Sequence, residues 1–214
     1  MRLYPKIDQL ISTFSEEQIP VERRKSLQSL TDHLMDVTGR VRLNFICTHN
    51  SRRSHLAQVW AHTWSNYYDL DFIDSYSGGT EETAVYPLVI DTLSKQGFEI
   101  FQLSVASNQV YSLKCHALDR PLILFSKKFS HRFNPEADFI AIMTCDSANE
   151  ACPMVSGASK RFSVLYEDPK RYDGTEQQSA AYTERSLQIA QELWWVFAQV
   201  AAHRASKKST GHTV

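Results

Sequence analysis

The pattern of apolar and polar positions starts with helical spacing and changes near residue 40 to an alternation of strands and helices. In residues 1–40, apolar side chains recur at helical spacing before and after Pro20. Pro20 suits the first turn of a second helix, and Gly39 suits its end. The pattern predicts an N-terminal helical appendage over residues 1–40, which we expect to serve packing or partner contact rather than chemistry.

Residues 41–202 are expected to form one α/β domain. Helical patterns lie after the loop that follows residue 47 and at 87–96, and a long one fills 176–202. Strand patterns lie at 41–47, 72–77, 138–144 and 161–165. This alternation predicts a three-layer α/β sandwich with a mainly parallel four-stranded sheet.

Two segments fall outside this simple alternation. Short apolar runs at 110–113 and 122–125 could pair as an extra β-hairpin. The last residues, 203–214, are expected to form a flexible tail.

Composition narrows the class of protein. The 214 residues include only seven Gly and seven Pro, which argues against a large all-β sandwich or barrel. With 23 basic and 24 acidic residues, no general attraction to nucleic acid or an anionic membrane is expected, so any anion site must be local. No apolar stretch predicts a secretory signal or a membrane span. The four cysteines are therefore expected to be reactive or buried thiols in a cytoplasmic protein.

One stretch between the first strand and its helix combines a nucleophile with anion-binding groups. A turn of this kind can curl so that its backbone N–H groups surround an oxyanion, and the helix N-terminus adds positive potential. Arg53 can bind two anion oxygens with its planar guanidinium, and the same field favours the thiolate of Cys47. We therefore predict a nucleophile and an oxyanion-binding loop in the run Cys47-Thr48-His49-Asn50-Ser51-Arg52-Arg53-Ser54.

The spacing Cys, five residues, Arg, Ser resembles the signature of the low-molecular-weight protein tyrosine phosphatase superfamily. Within it, the closer likeness is to thioredoxin-coupled arsenate reductases. The supporting segments are Ser77-Gly78-Gly79-Thr80 with Tyr86-Pro87, Thr144–Pro153 with its two cysteines, and Glu167-Asp168-Pro169. The resemblance covers roughly residues 41–202 and implies that they form the catalytic domain of an enzyme.

The resemblance to the reductases implies a relay of three thiols. Cys47 would attack arsenate and form a thiol–arsenic adduct, and Cys145 would then attack Cys47 and release arsenite. Cys152 would attack next and leave a Cys145–Cys152 disulfide for thioredoxin or a similar external thiol donor to reduce, with no bound cofactor. A rigid strand cannot bring Cys145 and Cys152 together, so the segment between them is expected to bend or loop out.

The resemblance also implies a general acid, and the sequence departs from the family pattern at two positions. Asp168, before Pro169, would protonate the oxygen that leaves the substrate. His49 stands where family loops usually carry glycine, and Arg52 replaces the small or thiol residue usual before the arginine; we expect both to face solvent. Cys115-His116 has no partner pair at metal-site spacing, so we interpret it as structural and expect no metal.

Three functions remain open from the sequence. The preferred function is reduction of arsenate to arsenite. The alternative enzyme is a phosphatase that hydrolyses phosphotyrosine or another phosphomonoester through a Cys47 phosphocysteine, and it needs Arg53 and Asp168 but neither Cys145 nor Cys152. The third is an oxyanion-binding or partner-docking protein with weak catalysis.

Overall fold

Two β-sheets organise the protein, in a computed structural model that describes residues 2–151 and 154–210. Four strands form a parallel sheet in the order β2-β1-β6-β7, and three form an antiparallel sheet in the order β3-β4-β5. In chain order the strands are β1 (Val41–Cys47), β2 (Ile73–Gly79), β3 (Glu99–Gln102), β4 (Tyr111–Lys114), β5 (Leu122–Leu124), β6 (Phe139–Met143) and β7 (Ala158–Ser163).

Helices cover the parallel sheet. They are α1 (Pro5–Ile11), α2 (Val21–Asp36), α3 (Arg53–Tyr67), α4 (Pro87–Gln96), α5 (Asp146–Ala151) and α6 (Gln178–Thr210), with short 3₁₀ turns at Glu16–Gln18 and Pro169–Tyr172. Among the described residues, none of these helices has an apolar stretch long enough to cross a membrane.

Strand β6 shows how the layers arise. Side chains of a strand alternate between the two faces of a sheet. Ile140 and Ile142 belong to the larger core, whereas Phe139, Ala141 and Met143 belong to a second core. The sheet is therefore buried on both faces, and the predicted three-layer α/β sandwich with a parallel four-stranded sheet is confirmed.

The antiparallel sheet confirms the predicted hairpin and adds a strand to it. Strands β4 and β5 pair around a loop at 115–121, and β3 pairs with the other edge of β4. The pattern at 99–102 did not predict β3, because its four residues are mostly exposed and it pairs with a strand further along the chain.

The N-terminal helices share the larger core with the α/β region. Leu27, Leu30 and Leu34 of α2 are buried in the same cluster as Trp60 of α3. A half-buried ion pair also joins α2 to α6, with Arg23 donating to Glu192 at 2.7 Å.

The long helix α6 extends further than predicted. It continues to Thr210, so residues 203–210 are helical where a flexible tail was expected, and residues 211–214 lie outside the described part of the chain. Arg204 holds this extension by donating to the backbone oxygen of Val37 at 2.5 Å and by lying over the Phe72 ring at 4.3 Å.

Candidate active site

The predicted oxyanion-binding loop joins the last residue of β1, Cys47, to the first residue of α3, Arg53. It lies at the carboxyl edge of the parallel sheet, where open α/β sheets bind their ligands. In the described part of the chain, no protein atom accepts a hydrogen bond from the backbone N–H groups of residues 48–53. With the N-terminus of α3 beside them, these N–H groups are available to an anion.

Asn50 fixes the shape of this loop. Its φ of 44° is left-handed, a conformation that asparagine tolerates better than most residues. Its buried side chain accepts from the backbone N–H of Lys127 and donates to Ser54 Oγ, both at 2.9 Å. The loop also lies directly on Gly79, where a Cβ would stand 2.7 Å from the Asn50 nitrogen. Because the left-handed residue is Asn50, the neighbouring His49 does not need to be glycine.

Ser54 contacts the predicted nucleophile. Its Oγ lies 3.1 Å from the sulfur of Cys47, which is buried. Because this Oγ already accepts a hydrogen bond from Asn50, its own proton is free to be donated to the sulfur. The Ser54 hydroxyl can therefore orient the Cys47 sulfur within the loop.

Arg53 and Asp168 come together although they are 115 residues apart. Arg53 Nη2 lies 2.5 Å from Asp168 Oδ2, and its Nη1 donates to the backbone oxygen of Tyr166 at 2.9 Å. The second carboxylate oxygen accepts from the backbone N–H of Lys170 at 3.1 Å and so caps the 3₁₀ turn that follows. The predicted general acid therefore stands beside the predicted oxyanion ligand.

Arg52 is buried, so the expectation that it faces solvent is wrong. Its side chain is 12% exposed, and it donates to Asp173 at 2.8 Å and to the Tyr182 hydroxyl at 2.6 Å. Its guanidinium also lies 4.0 Å from the centre of the Tyr86 ring. These partners come from distant parts of the chain, and they tie the oxyanion loop to the start of α6.

His49 lies at the rim of the loop. Its side chain is 47% exposed, and its Nε2 is 3.6 Å from the Glu81 carboxylate. The neighbouring Thr48 and Ser51 contribute mainly through the backbone, since their carbonyls accept from Glu81 at 2.8 Å and from Tyr86 at 3.0 Å.

Cys145 lies beside the loop, just after the end of β6. It is buried in the same apolar cluster as Cys47, and its sulfur is 3.5 Å from Thr48 Oγ1. The backbone N–H of Ala148, in the first turn of α5, donates to the same sulfur at 3.4 Å. The fold therefore brings two of the three cysteines of the predicted relay to one place, while Cys152 lies outside the described residues.

The segment that follows Cys145 is helical. Helix α5 occupies Asp146–Ala151, and Arg161 of β7 holds it by donating to the backbone oxygen of Asn149 at 2.8 Å. Ser163 also donates to the Asn149 side chain, at 2.6 Å. The backbone in this structure thus keeps a regular helix where a Cys145–Cys152 disulfide requires a bend.

A buried lysine behind the loop was missed from the sequence. Lys127 is fully buried, and its ammonium group donates to the Phe125 carbonyl at 3.1 Å and lies over the Phe125 ring. Burial lowers its pKa to about 7. Burial, and then the charge of Lys127, also lower the pKa of the enclosed His55 well below its usual value. No sequence pattern separates Lys127 from its exposed neighbour Lys128.

Cys115 has partners that its spacing in the sequence did not show. The fold brings His62 of α3 and Asp119 of the β4–β5 loop to it, and the ligand atoms of the three side chains lie within 4.8 Å of one another. The adjacent His116 instead contacts Asn66, with its Nε2 3.2 Å from the amide oxygen.

Comparison with known proteins gives relatives of two kinds. No protein-family model matches the chain. The arsenate reductase of Bacillus subtilis is 28% identical over 141 residues, which are 66% of this chain and 83% of that protein. An arginine phosphatase, solved as a variant with a phosphorylated active-site serine, is 13% identical with a TM-score of 0.50, over 78% of this chain and 97% of that one. The solution structure of a low-molecular-weight protein tyrosine phosphatase from Bacillus subtilis is 14% identical with a TM-score of 0.49, over 78% and 99% of the two chains.

These findings confirm the resemblance that the motifs indicated. The sequence relative is an arsenate reductase, and the two solved structures named above are phosphatases. At such low identities the structural likeness shows the fold alone. The chain is thus similar in sequence to an arsenate reductase and in fold to an arginine phosphatase.

Proposed function

We propose that this protein reduces arsenate to arsenite with Cys47, Cys145 and Cys152. The observation that carries the proposal is the second buried thiol beside the oxyanion loop. Cys145 shares the apolar cluster of Cys47 and touches Thr48 of the loop. Hydrolysis of a phosphomonoester needs no such thiol, whereas reduction by a thiol relay requires one.

The first step uses the groups of the loop. The free backbone N–H groups and Arg53 bind the arsenate oxygens, and the Cys47 thiolate attacks arsenic. An S–As bond forms and an As–O bond breaks. Once the substrate has taken its place on Arg53, the Asp168 carboxylate takes up a proton from water, and it then gives this proton to the departing hydroxyl group, which leaves as water. The substrate competes with Asp168 for the Arg53 guanidinium, so binding releases the carboxyl group for this task.

The second step transfers two electrons. The Cys145 thiolate attacks the Cys47 sulfur, and the electron pair of the S–As bond passes to arsenic, which leaves as arsenite. Arsenic is reduced by two electrons, and the two thiols are oxidised to a Cys47–Cys145 disulfide. The Cys152 thiolate then attacks Cys145, frees the Cys47 thiolate and leaves the Cys145–Cys152 disulfide, which the dithiol of thioredoxin reduces.

The last exchange requires a change in α5. In a regular helix, residues seven positions apart are separated by roughly 10 Å, whereas a disulfide needs Cα atoms less than about 7 Å apart. The chain between Cys145 and Cys152 cannot stay fully helical in that disulfide, so we expect α5 to unwind in part and the Arg161–Asn149 hydrogen bonds to break or shift. A six-residue helix has little intrinsic stability, so this cost is small.

A phosphatase is the second candidate, because Arg53 and Asp168 are placed equally well for phosphate transfer to Cys47 and hydrolysis. The test is to measure both reactions on the same purified full-length protein. We expect arsenate-dependent oxidation of NADPH when thioredoxin and thioredoxin reductase are present, with slower hydrolysis of an aryl phosphate. Brisk aryl phosphate hydrolysis with no arsenate reduction would establish the phosphatase instead.

A further inference from the structure

Three side chains with metal-binding atoms meet on the side of α3 that faces the antiparallel sheet. His62 lies about two and a half turns beyond Arg53 along α3, and Cys115 and Asp119 flank the tight turn that follows β4. His62 Nε2 is 3.0 Å and 3.1 Å from the two Asp119 oxygens, and Cys115 Sγ is 3.2 Å from one of them. The arsenate chemistry proposed above uses none of these groups.

The cluster places a carboxylate and a thiol in a buried environment. The Asp119 side chain is 1% exposed and that of His62 is 18% exposed, while Cys115 is fully buried. The charges of a thiolate, a carboxylate and a divalent cation sum to zero, so an ion bound here would leave no net charge in this buried environment.

The hydrogen bonds around His62 conflict with one another. Its Nε2 faces the Asp119 carboxylate, which needs a donor, and also the Asn66 amide nitrogen at 3.2 Å, which needs an acceptor. The Asn66 amide cannot simply flip, because its nitrogen donates to the His62 carbonyl at 2.9 Å and its oxygen faces His116. If Nε2 carries a proton, this proton is repelled by the N–H of the Asn66 amide. If Nε2 carries a lone pair, the lone pair is repelled by the Asp119 carboxylate. A cation between Nε2 and the carboxylate turns the second repulsion into attraction.

We propose that His62, Cys115 and Asp119 bind one zinc ion, with a fourth position left for water. One imidazole nitrogen, one thiolate and one carboxylate are donors that zinc accepts in tetrahedral sites. In such a site, neighbouring ligand atoms are roughly 3.3–3.6 Å apart. The two hydrogen-bonded pairs here are 3.0–3.2 Å apart, and all three ligand atoms lie within 4.8 Å of one another, so small shifts of the side chains accommodate the ion. The ion would fasten the β4–β5 loop to α3.

The test must separate this site from the relay thiols, which also bind metals. We would prepare the full-length Cys47→Ser/Cys145→Ser/Cys152→Ser variant, in which Cys115 is the remaining cysteine, and titrate it with Co²⁺ and then Zn²⁺. We expect one equivalent of Co²⁺ to bind with a thiolate-to-cobalt charge-transfer band, which Zn²⁺ then removes. The further change Cys115→Ser should abolish the band, and Asp119→Asn should weaken binding by at least about 100-fold.

Thermal unfolding gives a second measurement that does not depend on the cobalt spectrum. One equivalent of Zn²⁺ should raise the Tm of the triple variant by several degrees, and this rise should vanish with His62→Gln. Circular dichroism would show that each variant is folded before the titration. Absence of the charge-transfer band, or a band and a Tm rise that survive Cys115→Ser, would overturn the proposed zinc site.

Discussion

Arg53 Nη2 lies 2.5 Å from Asp168 Oδ2, so the arginine that closes the oxyanion loop is paired with the proposed general acid. The Asp168 side chain is 36% exposed, and Arg53 at 12% is nearly buried. A tetrahedral oxyanion in the loop needs the same guanidinium. Substrate binding must therefore exchange one negatively charged partner of Arg53 for another.

Asp168→Asn separates the two roles of this carboxyl group. Loss of the proton donor should lower kcat by about 100-fold. Loss of its negative charge frees Arg53, so inorganic phosphate should inhibit the variant more tightly than the parent. Steady-state kinetics with phosphate as inhibitor would check both effects. Weaker phosphate inhibition in the variant would show that Asp168 does not compete for Arg53.

Cys47→Ser should abolish both arsenate reduction and aryl phosphate hydrolysis, because a serine hydroxyl is a far weaker nucleophile than a thiolate. The change is nearly isosteric, so the Tm should stay close to that of the parent. The control is Val105→Ser, a change at a highly exposed position outside the site, which should leave turnover unchanged. Residual activity above a few per cent in Cys47→Ser would remove this residue from the mechanism.

Arg53→Lys and Arg52→Lys should fail in different ways. Arg53→Lys keeps the charge but loses the planar fork, so kcat/KM should fall by at least about 100-fold with little change in stability. Arg52→Lys breaks the buried contacts with Asp173 and Tyr182 and should cost about 1–3 kcal/mol of stability. Its kcat/KM should fall less than about tenfold. Kinetics and urea unfolding on both variants test this division, and equal kinetic damage would contradict it.

Lys127 makes stability depend on pH. Burial lowers its pKa to about 7, so above this pH the unfolded chain holds a proton that the folded protein has lost. The free energy of unfolding should therefore rise with pH above 7, whereas below it both states are protonated and this contribution is flat. Lys127→Met removes the rise, so the parent should gain about 2 kcal/mol relative to this variant between pH 6.5 and 8.5.

The control for this prediction is Lys128→Met, which changes the exposed neighbour. Urea unfolding of parent and control should give parallel curves of stability against pH. If Lys127→Met also runs parallel to the parent, then the lysine keeps its proton throughout this range.

Much of the fold follows from local pattern. Local strand patterns, alternating at 41–47 and nearly all apolar at 138–144, predicted the parallel strands. The run Cys47–Ser54 predicted the oxyanion loop, because such features depend on neighbours in sequence. Strand β3 was missed because its four residues are mostly exposed and show no strand pattern of their own. They form a strand by pairing with β4. The predicted end of α6 at residue 202 was too early. The helix continues because Arg204 contacts Val37 and Phe72, which lie far earlier in the chain.

In the site, too, local motifs were predictable and contacts between distant segments were not. The sequence indicated Cys47, Arg53, Cys145 and Asp168, because these residues match motifs of the family. It gave no sign that Arg52 turns inward, since its partner Asp173 is 121 residues away. Likewise, the meeting of Cys115 with His62 depends on how the β4–β5 loop packs on α3. Contacts between distant segments arise from tertiary packing, which spacing along the chain does not encode.

The central claim is the order of thiol exchange, and disulfide mapping after one equivalent of arsenate tests it most directly. Alkylation would freeze the exchange, and mass spectrometry would identify each bridge in the parent, in Cys152→Ser and in Cys145→Ser. We expect a Cys145–Cys152 bridge in the parent, a trapped Cys47–Cys145 bridge in Cys152→Ser, and neither bridge in Cys145→Ser. The parent and Cys152→Ser should each release about one equivalent of arsenite, and Cys145→Ser should release none. Free thiols throughout, with aryl phosphate hydrolysis intact in the parent, would contradict the reductase and leave the phosphatase.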